Sequence, residues 1–311
     1  MSVTVSFVDE YKNFGKCVCV SNGVVEAYAT IEIGPRIIRF GFVGGKNIML
    51  NDVERIHTTQ DETFDNYYYK GAAWRNYGGH RLWVAPEATP DTYYPDCNPV
   101  AYEIMPNGVK LTPPPQLENG VQTAMQLEMS EDGKLKVTHF VTNISKKDKV
   151  MSPWALTVLD HCGVEIIPNN TVDTGLLPNR KLIAWAYTNL ADERLYLGEK
   201  FITLCQDPQV EPAFKLGLDN HSGMAMYIID DTLFINRYNH NKSAEYEDFG
   251  CSFETYTNYD ILEMETLGEK QCVKPGETST HIENWELHKA PAKFDVRNDD
   301  AIMNAIGKYL D

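Results

Sequence analysis

Apolar and polar residues alternate with a period of two along most of this chain. Val3, Val5 and Phe7 alternate with polar partners, and Val24 to Ile33 continues the pattern until Gly34-Pro35 interrupts it. It resumes over Arg36 to Phe42. The same spacing predicts strands over 122–129, 134–142, 151–159, 201–206, 214–218, 224–229, 232–236, 251–257, 261–267 and 281–287. Turn signals fall between them: Glu131-Asp132-Gly133, Pro168-Asn169-Asn170, Asp230-Asp231 and Lys274-Pro275-Gly276. Many short strands with regular turns predict an all-β sandwich or barrel of antiparallel strands.

A 3.6-residue period is rare. Its best instance closes the chain over 298–310. There Asn298 is placed to cap, Asp299 and Asp300 suit the positive helix end, and Ile302, Ile306, Tyr309 and Leu310 form an apolar stripe. This helix is expected to pack on the sheet. The run Thr112-Pro113-Pro114-Pro115 reads as a stiff loop within the β pattern, so 1–311 is expected to form a single domain.

Composition narrows the partners. The 311 residues carry 28 basic and 44 acidic side chains, a formal charge of −16. That balance disfavours nucleic acid, whose binding rests on Lys and Arg against phosphate, and disfavours an anionic membrane. No apolar run approaches the roughly 18 residues of a membrane span, and the first residues lack the pattern of a signal peptide. The seven cysteines are scattered without CxxC spacing, as expected of reduced thiols in a cytoplasmic protein.

Chemistry concentrates in a few stretches. The densest is Asn76 to Glu87, NYGGHRLWVAPE. Gly78 and Gly79 allow positive φ or close approach to a ligand, His80 titrates near neutrality, Arg81 offers a planar fork of donors, and Trp83 offers a flat apolar face. Sugars suit such a set, because they present polar edges and apolar C–H faces. A plain β turn with a core tryptophan is the alternative. Along Tyr259 to Gly268, alternation puts Glu263 and Glu265 on one face and Leu262 and Met264 on the other. On an edge strand, solvent would relieve the repulsion of the two carboxylates. In a cleft, one pKa would rise and supply a general base or acid. Trp154 lies within a predicted strand. Arg180, Trp185 and Tyr187 lie in a stretch that lines a polar pocket or packs as a long loop. Lys215 sits in an apolar strand, either snorkelling or meeting a ligand. No GxSxG, HExxH, GxGxxG or P-loop motif is present, no histidines show metal-ligand spacing, and neither a metal nor another cofactor is expected.

The segments GPRIIRFGF, GGHRLWVAPE, SPWALTVLDHCG, LLPNRKLIAWAYTNLADERL and LEMETLGEKQCVKPGETSTHIENWEL together resemble DUF4380, a bacterial family that itself resembles the galactose mutarotase-like (aldose 1-epimerase) proteins. The resemblance runs from about Val18 to Leu287. It implies a β-supersandwich with a carbohydrate site on its concave face. It further implies a late-strand glutamate that takes the anomeric hydroxyl proton and a histidine that protonates the ring oxygen. Met264-Glu265-Thr266-Leu267, followed by Pro275-Gly276-Glu277, matches the glutamate motif and points to Glu265 as base. The chain departs from the mutarotase pattern at both histidines. His80 follows its glycine pair instead of preceding it, and Pro153-Trp154 stands where a strand histidine is expected. His80 is then the candidate acid. Arg81, Trp83, Trp154, Arg180, Trp185, Lys215 and Glu263 are the candidate sugar contacts. Three functions follow: an epimerase, a non-catalytic carbohydrate-binding protein, and a lyase or hydrolase of acidic saccharides.

Overall fold

A computed structural model describes residues 2–310. Among these, 11 strands form one sheet and 10 form a second, with a further two-stranded pair beside them. Adjacent strands run antiparallel throughout. The predicted strands are present, some shifted at their ends by a few residues. Lys149–Leu159 and Thr278–Lys289 are longer than their apolar cores, because each pairs on both sides. The alternation does not reveal Gly79–Ala85, Ala101–Met105, Gly108–Thr112 or Val164–Pro168, nor the short helix Glu62–Tyr67 capped by Asp61.

Period-two geometry decides what each face carries. Leu262 and Met264 point between the sheets and join Phe40, Phe214, Phe234, Phe253 and Trp285 in the main core. The predicted C-terminal helix forms as Asp299–Ile306, with the Asn298 side chain accepting from the Asp300 and Ala301 amides. Ile302 and Ile306 bury against Ile166, Met226 and Ile235 of the second sheet. Asp299 does more than complement the helix dipole: its carboxylate accepts from the amides of Glu199, Lys200 and Phe201, tying the helix to that sheet.

The centre of the larger sheet matters for function. Its strands run in the order Ile37–Phe42, Gly79–Ala85, Lys149–Leu159, Leu262–Leu267, Phe253–Thr257, Phe214–Leu218. Gly78 and Gly79 serve this packing. Both have positive φ, and a Cβ would stand 2.2 Å from the Leu50 carbonyl oxygen at Gly78 and 2.4 Å from that of Ile37 at Gly79. Only glycine lets the backbone come this close. No described helix is long and apolar enough to cross a membrane. The seven cysteines are free thiols.

Candidate active site

Cross-strand register assembles the site on the outer face of the larger sheet. Arg81 pairs with Leu156, Leu156 with Glu265, and Glu265 with Glu254, so these four form one row across four strands. Trp83, Trp154 and Leu267 form the next row, and Val158, Glu263, Tyr256 and Lys215 a third. An outward sheet face is normally solvated. This one is covered, with Glu265 1% and Arg81 2% exposed. Trp74, Glu87, Tyr93 and Tyr187, all from segments outside the sheet, stand around a cleft of about 230 Å³.

The charges in the cleft are organised in two groups. The Lys215 ammonium lies 2.7 Å from Glu254 Oε2 and 3.0 Å from Glu265 Oε2. The indoles of Trp154 and Trp185 flank it at 4.9 and 4.8 Å. Trp154 Nε1 donates to the same Glu265 oxygen at 3.0 Å. Glu265 Oε1 accepts no hydrogen bond from the described residues. The second group is Arg81, which donates through Nη2 to Glu263 at 3.0 Å and lies 4.3 Å from the Trp83 ring centroid.

Burial raises the pKa of Glu265. Lys215 opposes that rise and Glu263 adds to it. Burial also lifts Glu254 well above the carboxylate range, against the pull of Lys215. Burial alone would lower the Lys215 pKa, but Glu265 and Glu254 together raise it, so it stays an ammonium ion. Three buried donors of residues lining the cleft find no acceptor on the described chain: Nε and Nη1 of Arg81 and Nε1 of Trp74. Each such group costs about 1–3 kcal/mol if left unpaired.

The structure thus brings Arg81, Trp83, Trp154, Lys215, Glu263 and Glu265 around one cleft, with Trp185 behind Lys215. It leaves two expected residues outside. Arg180 is exposed on a loop, where it donates to the carbonyls of Asn170 and Glu199. His80 does not share a cavity with Glu265. Neighbouring strand residues point to opposite faces, so with Arg81 and Trp83 outward His80 must point inward. There it lies fully buried between the sheets, with Nδ1 2.9 Å from Thr157 Oγ1 and Nε2 2.7 Å from His139 Nε2. Trp74, Tyr93, Glu254 and Tyr256 also belong to the site and are not among the candidates the sequence pattern offers. For Glu254 and Tyr256 a signal existed, since parity in Phe253–Thr257 puts them on one face opposite the core residue Phe253.

Among the described residues, two groups bring histidine and carboxylate donor atoms within 4.8 Å of one another: His80, His139 and Glu283; and Asp219, His221 and His240. In the first, His139 Nδ1 meets the His281 carbonyl, and Glu283 accepts from Asn236, Thr266 and Trp285. It is a satisfied hydrogen-bond network as it stands. In the second, the Lys181 ammonium sits 3.0 Å from Asp219, where it competes with any cation.

No family model and no curated protein matches the sequence, so the DUF4380 resemblance stands on the quoted motifs alone. Solved structures do match. A TPR-domain containing protein from Parabacteroides distasonis aligns with a TM-score of 0.60 at 13% identity, over 92% of this chain and 51% of that one, so this chain spans about half its length. A galactose mutarotase-like protein from Lactobacillus casei aligns at 0.55 and 11% identity, over 88% of this chain and 100% of that one. A putative mutarotase from Salmonella typhimurium aligns at 0.54 and 12%, over 93% and 94%. At such identities the likeness is one of fold: the chain is a galactose mutarotase-like β-sandwich.

Proposed function

We propose that the cleft binds a sugar and that Glu265 accepts a proton from its anomeric hydroxyl, as in an aldose-epimerase reaction. One observation carries this reading. Buried donors without acceptors, on Arg81 and Trp74, stand beside a carboxylate with one oxygen fixed and the other free. A polyol both donates and accepts, and so satisfies both kinds of group at once. The Trp83 and Trp154 rings suit the apolar face of a pyranose.

The proton movements follow from that placement. Glu265 Oε1 takes the O1 proton, the bond from C1 to the ring oxygen breaks, and the ring oxygen takes a proton from a donor. Rotation about C1–C2 and reclosure then give the other anomer. With His80 turned inward, the donor role falls to a cleft hydroxyl. Tyr256 Oη accepts from Asn258 Nδ2 at 3.3 Å and keeps its own proton free. Tyr187 lines the same cleft, and burial pushes its pKa up to about 12, so it is protonated at neutral pH. General acid–base steps of this kind contribute about 10²–10⁴-fold.

A non-catalytic sugar-binding protein is the second reading, favoured by the lack of a histidine among the residues lining the cleft. Acidic saccharides lose support. Both cleft cations are already paired with carboxylates, and Glu87 adds a further acidic group. The test is anomer exchange by NMR across hexoses, pentoses and uronic acids, with wild type beside Glu265→Gln. Exchange above the buffer rate that vanishes in the variant supports the epimerase. Ligand broadening without exchange supports the binding protein.

A further inference from the structure

Two cations and three carboxylates line the cleft: Arg81 and Lys215 against Glu87, Glu263 and Glu265. Both cations already have partners. Arg81 pairs with Glu263, and Lys215 lies between Glu265 and the buried Glu254. Glu87 is the carboxylate left over. It accepts from the Tyr93 hydroxyl and forms no ion pair among the described residues.

The paired carboxylates also keep an oxygen in reserve. Glu263 Oε2 and Glu265 Oε1 accept no hydrogen bond from the described residues. The two side chains share one face of one strand, two residues and so roughly 7 Å apart along it. Desolvation decides which ligand suits this surplus. A neutral sugar strips water from a negative charge that no cation balances, whereas an ammonium group replaces that water with the opposite charge. The walls favour a cation too. Arg81 already sits 4.3 Å from the Trp83 ring centroid and Lys215 4.9 Å from that of Trp154, and Tyr93, Tyr187 and Tyr256 add further rings.

We propose, building on the carbohydrate reading above, that the ligand is an amino sugar with a free ammonium group on C2, the carbon next to the anomeric one. O1 lies over Glu265 Oε1, and the ammonium donates to Glu263 Oε2 within the negative field of Glu87. An ammonium there also favours the ionised form of Glu265, the form a base needs.

The experiment is titration calorimetry of wild type, Glu87→Gln and Glu263→Gln. The ligands are glucosamine, galactosamine and mannosamine, each beside its neutral parent sugar and its N-acetyl form, with ethanolamine as an amine that has no ring. The expected result is an amino sugar that binds at least roughly tenfold tighter than its parent and its N-acetyl form, with that ratio falling in the variants and at high salt. Glu87 is exposed, so its variant reads the charge even where Glu263→Gln, which frees Arg81, fails to fold. A ratio near one in wild type, or a ratio that neither variant lowers, overturns the ammonium group and leaves the sugar reading standing. Ethanolamine binding as tightly as the amino sugars overturns the amino sugar as ligand. Binding of none of the sugars overturns the carbohydrate reading and this inference with it.

Discussion

His80 Nε2 lies 2.7 Å from His139 Nε2, bridging the two sheets with a hydrogen bond between rings that are both fully buried. One ring must donate and the other accept. The His281 carbonyl beside His139 Nδ1 assigns the roles: His139 donates there and accepts at Nε2, and His80 donates from Nε2. Thr266 extends the network, contacting His281 Nε2 at 2.6 Å and donating to Glu283 at 2.5 Å.

This cluster predicts the pH dependence of stability. Burial lowers the pKa of His80 well below 6.5, that of His139 to about 3 and that of His281 to about 4. Their contribution is present above pH 6.5 and is lost as pH falls. Burial raises Glu283 from 4.5 to about 7, so its contribution is present below pH 4.5 and is lost as pH rises to 7. Between these windows the unfolded chain holds protons on three histidines and the folded chain holds one on Glu283. Within this cluster that difference of two protons favours the folded state as pH rises, at about 1.4 kcal/mol per pH unit for each proton, while the raised carboxyls of Glu165, Glu254 and Glu265 act in the opposite sense. Urea titrations of wild type beside Glu283→Gln isolate one member of the cluster: the stability of wild type relative to the variant should fall as pH rises from 4.5 to 7.5. A difference that does not change with pH would refute the assignment.

Lys215→Met should cost about 3–5 kcal/mol, because it strands Glu254 and Glu265 without their cation in a buried site. Adding Glu254→Gln should recover part of that loss. Chemical denaturation of the single and double variants measures both effects. An equal loss in the two would mean that packing of the lysine stem, and not charge, dominates.

Arg81→Lys keeps a positive charge but removes the planar fork and its contact with the Trp83 ring. Ligand affinity should fall about 10–100-fold, the effect of losing one charge-assisted hydrogen bond at about 1.5–3 kcal/mol. Saturation-transfer NMR with the best ligand of wild type reads this directly. Retained affinity would show that the free Arg81 donors do not meet the ligand.

Gly79→Ala should destabilise the fold by more than about 2 kcal/mol, since it forces a Cβ against the Ile37 carbonyl at a φ of +67°. The expected signature is a lower denaturation midpoint with an unchanged m-value. A neutral outcome would mean that the strand can shift away from Ile37.

The pattern of the chain by itself determined which residues share a face. Leu262 and Met264 in the core, Glu263 and Glu265 opposite them, and the Asn298-capped helix all follow from rules that act within a few residues. That His80 and Arg81 diverge needed the structure: parity applies to them only because Gly79–Ala85 is a strand, where the density of chemistry in NYGGHRLW suggested one shared wall. Only the tertiary structure decided which outward face became a site. Lys215 meets Glu265 across 50 positions, and His80 meets His139 across 59. An outward carboxylate on an uncovered sheet would be solvated and ordinary. Glu265 is buried and shifted because distant loops cover its face, and alternation along one strand carries no information about what covers it.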